Sequence, residues 1–193
     1  AALIEIARGA APCTALRKMR FAWWAAEEFG QWGSATYVFG PSAPDPTTIY
    51  AYLNADVIGS PNSVHFIYDG DGSAFGAEGP PGSAEIEAFF QADFLFAGLP
   101  HASVFSDRSD HFPFFLVGVA YGGLFTWVSD LKTPEQAVVF GGPADAPYDP
   151  CYHASCDTVS NVDLVELETM TKSLARAAQF FGDDFDVALW TLV

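Results

Sequence analysis

Two adjacent glutamates, Glu27 and Glu28, follow the apolar run FAWW and two alanines, with no basic residue close by. Like charges side by side repel, and at the buried end of an element that repulsion calls for a cation or a shared proton. Asp56 in YLNADVIGS and His153 in DPCYHASC extend the set of donors. Carboxylate oxygen and imidazole nitrogen are donors that zinc accepts. Paired glutamates can divide the labour, one holding a metal while its neighbour serves as general base to an activated water. Each residue also has a plainer reading. Glu27 and Glu28 fit a solvated first turn whose charge complements the helix dipole. Asp56 fits an ordinary turn after a strand. His153 lies between Cys151 and Cys156, whose spacing allows a short-loop disulfide that would pin it, or a fragment of a metal site. No second cysteine pair exists to complete a four-thiolate cage. A disulfide would imply a secreted protein.

Weaker candidates fall away on chemistry. DGDG at 69–72 hints at calcium but lacks the further oxygen ligands and closing Glu of an EF-hand loop. GPPG and GGLF carry no Lys for phosphate, and no GxSxG occurs. A glycosidase using Glu27 and Asp56 as its carboxylate pair leaves His153 unexplained. His65 and His101 read as structural or surface groups, His111 in RSDHF as a neighbour of the site, and Cys13 as a buried apolar filler.

The positioning elements follow from periodicity and turn chemistry. Residues 1–11 read as an amphipathic helix with Leu3, Ile4 and Ile6 on its apolar face. MRFAWW (19–24) reads as a buried strand, with a helix from about Glu27 to Val38. Strands are expected at 49–58, 64–68 and 117–125. Helices are expected at 83–98, capped by Ser83 with Phe89, Phe90 and Phe94 inward, and at 161–181. Residues 127–150 read as a long loop with one helical turn. This alternation predicts an α/β fold, a three-layer sandwich around a largely parallel, twisted central sheet. Chemistry in such sheets gathers beyond the carboxyl ends of the strands, where Glu27, Glu28 and Asp56 are expected to lie.

Composition narrows the class. At 193 residues the chain suits a single domain spanning 1–193 with a substantial core. The net charge of −16 with only eight Lys plus Arg argues against nucleic acid, since too few cations exist to neutralise phosphates. It favours metal cations or positively charged substrates. No apolar run approaches the ~20 residues that span a bilayer. The opening AALIEIARG reads like the middle of a helix, so a preceding segment is expected.

The blocks RFAWWAAEEFG, YLNADVIGSPN, DRSDHFPF, GGLFT and YDPCYHASCDT, in that order, resemble the secreted zinc aminopeptidases with a two-metal site. The resemblance covers about residues 2 to 175. It implies a zinc-exopeptidase-like fold and Glu27 as general base. It also implies Glu28 and His153 on one zinc, Asp56 on the other, and Tyr152 at the oxyanion. Arg108 would contact substrate, and Cys151–Cys156 would be the family's local disulfide. Phe125, Val57 and Asp107 would line a pocket for a large apolar first residue such as leucine. The implied substrates are peptides with a free N-terminus, and the chain is expected to be a monomer. Departures occur at Asp107, where the family usually has Gly, at Trp127, where a small residue is common, and at Ala55 and Val57, where larger residues are usual. A His and a bridging Asp of the family's metal cage come from a segment before the first helix, and nothing here matches it. The chain is therefore expected to be the C-terminal portion of such an enzyme. On its own it would be either a weak catalyst or a peptidase-like binding module.

Overall fold

The computed structural model describes residues 1–12 and 16–183. Cys13, expected to be free, lies outside them. Four short strands, β1 (Tyr52–Ala55), β2 (Phe66–Tyr68), β3 (Ala102–Val104) and β4 (Tyr121–Phe125), form one sheet in the order β1-β4-β2-β3. β1 and β4 are parallel, as are β2 and β3, while β2 runs antiparallel to β4. Among the described residues six α-helices accompany them: α1 (Ala2–Ala10), α2 (Trp32–Phe39), α3 (Ser83–Phe96), α4 (Phe112–Leu116), α5 (Pro134–Phe140) and α6 (Leu164–Gly182).

Period-two alternation sorts the strand side chains between two cores. Ile67 and Leu124 point into one, with Ile6 of α1, Phe90 and Phe94 of α3, and Met170 and Leu174 of α6. Phe66, Tyr68, Tyr121 and Phe125 point into the other, against Phe115 of α4 and Phe140 of α5. The expected layered α/β architecture is therefore present. In GGLF a Cβ on Gly122 would stand 2.3 Å from Ile86 Cγ2, and one on Gly123 would stand 2.0 Å from Asn54 O. Glycine there lets β4 approach α3 and β1 closely.

Several expected elements differ. Residues 19–24 form no strand, because no neighbour pairs with them among the described residues; Trp23 is exposed. A short apolar run specifies a strand only when an edge is available to it. The expected helix 27–38 is broken into a 3-10 turn at Glu27–Phe29 and α2, because Gly30 and Gln31 adopt left-handed φ of 93° and 52°. Ile4, expected on the buried face of α1, is exposed, and only Ile6 is buried there. Ser83 does not cap α3; Gly82 occupies that position, and the Ser83 hydroxyl accepts from Tyr121 N instead. The strand expected at 117–125 starts at Tyr121, with α4 unforeseen before it, and β3 is a further strand.

Candidate metal centre

Parallel pairing of β1 with β4 puts their carboxyl ends on one side of the sheet, so Asp56 and Trp127 emerge together. Asp56 leaves β1 at a backbone break. Val57 has φ of 46°, uncommon for a β-branched residue, and its carbonyl accepts from the amide of buried Thr126 at 2.8 Å. The glutamates arrive on the 3-10 turn after Ala26, itself left-handed at φ 58°. His153 also has positive φ, 55°, inside the loop closed by Cys151–Cys156, whose Cα atoms are 5.3 Å apart. Left-handed conformations at non-glycine residues cost on the order of 1–3 kcal/mol each and persist only where surroundings impose them. Ala26, Gln31, Val57, Trp127 and His153 all border this one region.

The residues meet as follows. Glu28 Oε1 lies 2.6 Å from His153 Nε2, and Tyr152 OH donates to the same oxygen at 3.2 Å. The Tyr152 and His153 rings stack at 3.8 Å. Asp56 Oδ2 accepts from Ser109 Oγ at 2.7 Å, and Asn54 Nδ2 in turn donates to Ser109 Oγ at 2.8 Å. Asn54 and Ser109 are buried, so this chain fixes the carboxylate before any ion arrives. Asp110 accepts from buried Ser34 of α2 at 2.5 Å and joins the acidic group. The Asn54–Ser109 support and Asp110 were not singled out from sequence; only the position of DRSDHFPF among the blocks pointed toward them.

The electrostatics have one sign. Burial raises the Glu27 carboxyl above its ordinary 4.5, and Asp56, Glu28 and Asp110 raise it further. Burial likewise raises Asp56, with Ser109 opposing and Glu28 adding to the rise. Burial also pushes Tyr152 up to about 12, helped by Glu28, so its hydroxyl stays protonated and able to donate. His111 is a buried neutral ring, its pKa lowered to about 4 by burial, with Nε2 2.7 Å from Ser106 O.

A cavity of about 230 Å³ sits beside these groups, lined by Glu27, Glu28, Asp56, Val57, Arg108, Phe125 and Tyr152 among others. Asp107 is not in its lining, although its carbonyl accepts from Gln31 Nε2 at 3.5 Å nearby. A wider groove of about 850 Å³ shares Glu27, Glu28 and Asp56 and follows the edge of β1 that has no strand beside it among the described residues, between residues 17–24 and α6.

Glu28 and His153 fit one cation, since both offer a ligand atom within one small space. The ligand atoms of Glu28, His153 and Asp56 do not all lie within 4.8 Å of one another. Among the described residues, the acidic group whose ligand atoms all lie within 4.8 Å of one another is Asp69, Asp71 and Glu87. That group is at the opposite end of the sheet, because β2 runs against β4. Its oxygens are already engaged: Asp69 accepts from the amides of Gly72, Ala74 and Phe75, and Glu87 from those of Gly70 and Asp71.

The disulfide carries a testable consequence. Asp149 Oδ1 accepts from Cys151 N at 2.9 Å and from Asn161 Nδ2 at 2.8 Å, so the loop's entrance stays anchored without the bridge. The bridge itself closes so short a loop that it adds at most about 2–3 kcal/mol. Reduction should therefore weaken zinc binding at Glu28–His153 more than it lowers the melting temperature. Calorimetric zinc titration and thermal unfolding, with and without reductant, give the comparison; equal loss of fold and affinity would contradict it.

The profile of peptidase family M28 matches residues 1–178. An aminopeptidase of Pseudomonas aeruginosa is 48% identical over 176 residues, covering 91% of this chain and 33% of its own length. A probable leucine aminopeptidase 2 of Arthroderma benhamiae is 47% identical over 160 residues, 82% of this chain and 32% of its own. The chain thus spans about a third of the length of these relatives. Among solved structures, a zinc aminopeptidase from Bacillus subtilis superposes with TM-score 0.68 at 20% identity, over 92% of this chain and 39% of its own. An aminopeptidase of Legionella pneumophila gives 0.66 at 16% identity, over 96% and 45%. These two bear on the fold alone. On the profile match and the two sequence relatives, the chain belongs to peptidase family M28.

Proposed function

We propose that the protein carrying this chain is a zinc aminopeptidase that removes large apolar, leucine-like residues from peptides with a free N-terminus. The observation that carries the reading is the meeting of Glu28, His153 and Tyr152 beside Glu27 and Asp56 at the mouth of one cavity. Two zinc ions, when bound, supply Lewis-acid activation and neutralise the converging carboxylates. Glu28 and His153 would hold one and Asp56 the other, with the remaining ligands supplied by polypeptide seated in the groove along β1. Glu27 accepts the proton of the attacking water and returns it to the leaving amine. Tyr152 turns its hydroxyl from Glu28 to the developing oxyanion. The acidic surroundings recognise the substrate's α-ammonium group, and Phe125 and Val57 receive the first side chain. Arg108, at the cavity rim, contacts the substrate chain beyond it. The Cys151–Cys156 bridge supports an oxidising, extracellular setting, and we take the working unit to be one chain.

The test uses the protein at its full natural length. It should hydrolyse leucine p-nitroanilide, lose that activity to a chelator, regain it with zinc, and ignore the N-acetylated substrate. Zinc-independent turnover would sink the reading. Absence of both turnover and zinc uptake would favour a peptidase-like binding module.

A further inference from the structure

Trp127, Val128 and Asp130 also line the cavity that Glu27 and Asp56 border. Trp127 sits at φ 67°, a costly conformation for an aromatic residue, and several contacts hold it there. Its carbonyl accepts from the buried Ser60 hydroxyl at 2.7 Å. Its ring packs 5.1 Å from Phe125 and 5.8 Å from Phe66. Its indole N–H donates to Asp130 Oδ2. Asp130 is steadied from behind, since its carbonyl accepts from Tyr148 N at 3.2 Å. Two residues on, buried Lys132 donates to Asn62 Oδ1 at 3.1 Å and Gly141 O at 2.8 Å. Lys132 is thereby turned away from pairing with Asp130. Among the described residues no cation pairs with Asp130, and its second oxygen has no partner. This part of the lining is aromatic and ends in an exposed carboxylate that no cation pairs with among the described residues.

We propose that Asp130 is a specificity-determining residue, admitting long unbranched cationic first residues, lysine above all, alongside the apolar ones. The inference rests on the aminopeptidase reading of the same site. A lysine side chain offers four methylenes and an ammonium group. The methylenes would run along Phe125 and Trp127, and the ammonium would meet the free oxygen of Asp130 beside the Trp127 ring, where charge–carboxylate and cation–π attraction add. An aliphatic side chain such as leucine makes only the first set of contacts and leaves Asp130 to water at the cavity's open side. A first-residue glutamate would face Asp130 with like charge and be excluded. A cavity of about 230 Å³ is small for a binding site, which suits a single side chain.

The experiment compares kcat/KM for lysine, leucine and glutamate p-nitroanilides in the full-length protein, Asp130→Asn and Asp130→Lys. Calorimetric titration with lysine amide and leucine amide accompanies it. Asp130→Asn should lower kcat/KM for lysine about tenfold, mostly through KM, and change leucine less than about threefold. Asp130→Lys should abolish lysine turnover and raise glutamate turnover above the parent level. Normal leucine hydrolysis with lysine and leucine changing in parallel would overturn the subsite and leave the aminopeptidase standing. No hydrolysis of any substrate, but lysine amide binding that depends on Asp130, would do the reverse. Neither hydrolysis nor such binding would overturn both.

Discussion

Replacing Glu27 by Gln should lower kcat by about 10²–10⁴-fold, the span of positioned general-base catalysis, while zinc content and KM change little. The substitution keeps the side chain's shape and removes its ability to take a proton. Glu28, Asp56 and His153 are untouched, so the cations should stay. The same variant carries a stability signature in the chelated protein. Glu27 is raised above 4.5 by burial and by Asp56, Glu28 and Asp110, so ionising it in the metal-free fold is unfavourable. An acid whose folded pKa is raised loses stability as pH climbs through that pKa, and loses none below its unfolded value. Glu27→Gln should therefore raise the melting temperature of chelated protein at neutral pH, with the gain vanishing below about pH 4. Loss of zinc together with activity would make Glu27 a ligand instead.

The donors of the candidate site stand out in the sequence chiefly through the family blocks that carry them. Two adjacent glutamates without a cation, an aspartate ending a strand and a histidine between cysteines each kept a plainer reading on their own, and it was the ordered family blocks around them that marked them as candidates. The supports were not legible. Ser109 reaches Asp56 across 53 positions, and Ser34 reaches Asp110 across 76, and nothing local marks such pairs. Glu87 joins Asp69 and Asp71 only because α3 returns along β2, so DGDG alone could not disclose the cluster. In the fold, strong periodic segments such as α3 and α6 were recognisable. Three-residue β3 carries too little alternation to register, and α4 was hidden in an aromatic run, FPFFL, that reads equally as strand. Residues 19–24 have a strand's composition but no pairing partner among the described residues, which is a tertiary fact.

Removing either Glu28 or His153 should have the second large effect. Zinc with three protein ligands tolerates the loss of one poorly. Deleting a mere outer-shell partner already costs about 10–100-fold in affinity. Glu28→Ala and His153→Ala should each cost more than that. Because both side chains converge on one point, 2.6 Å apart, the double variant should lose much less than the sum of the single losses. Tyr152→Phe, which removes a hydroxyl from the same carboxylate without touching a donor of the cage, should leave zinc affinity within the outer-shell range. Calorimetric titration of the chelated proteins reads all four. Additive losses would mean that Glu28 and His153 serve different ions.

The most direct measurement is anomalous diffraction at the zinc edge from crystals of the full-length protein grown with zinc. The account predicts one peak about 2.0–2.2 Å from a Glu28 oxygen and a His153 nitrogen, and another on Asp56, with Glu27 free. Zinc found only at Asp69, Asp71 and Glu87, or no peak within bonding distance of Glu28, would contradict it.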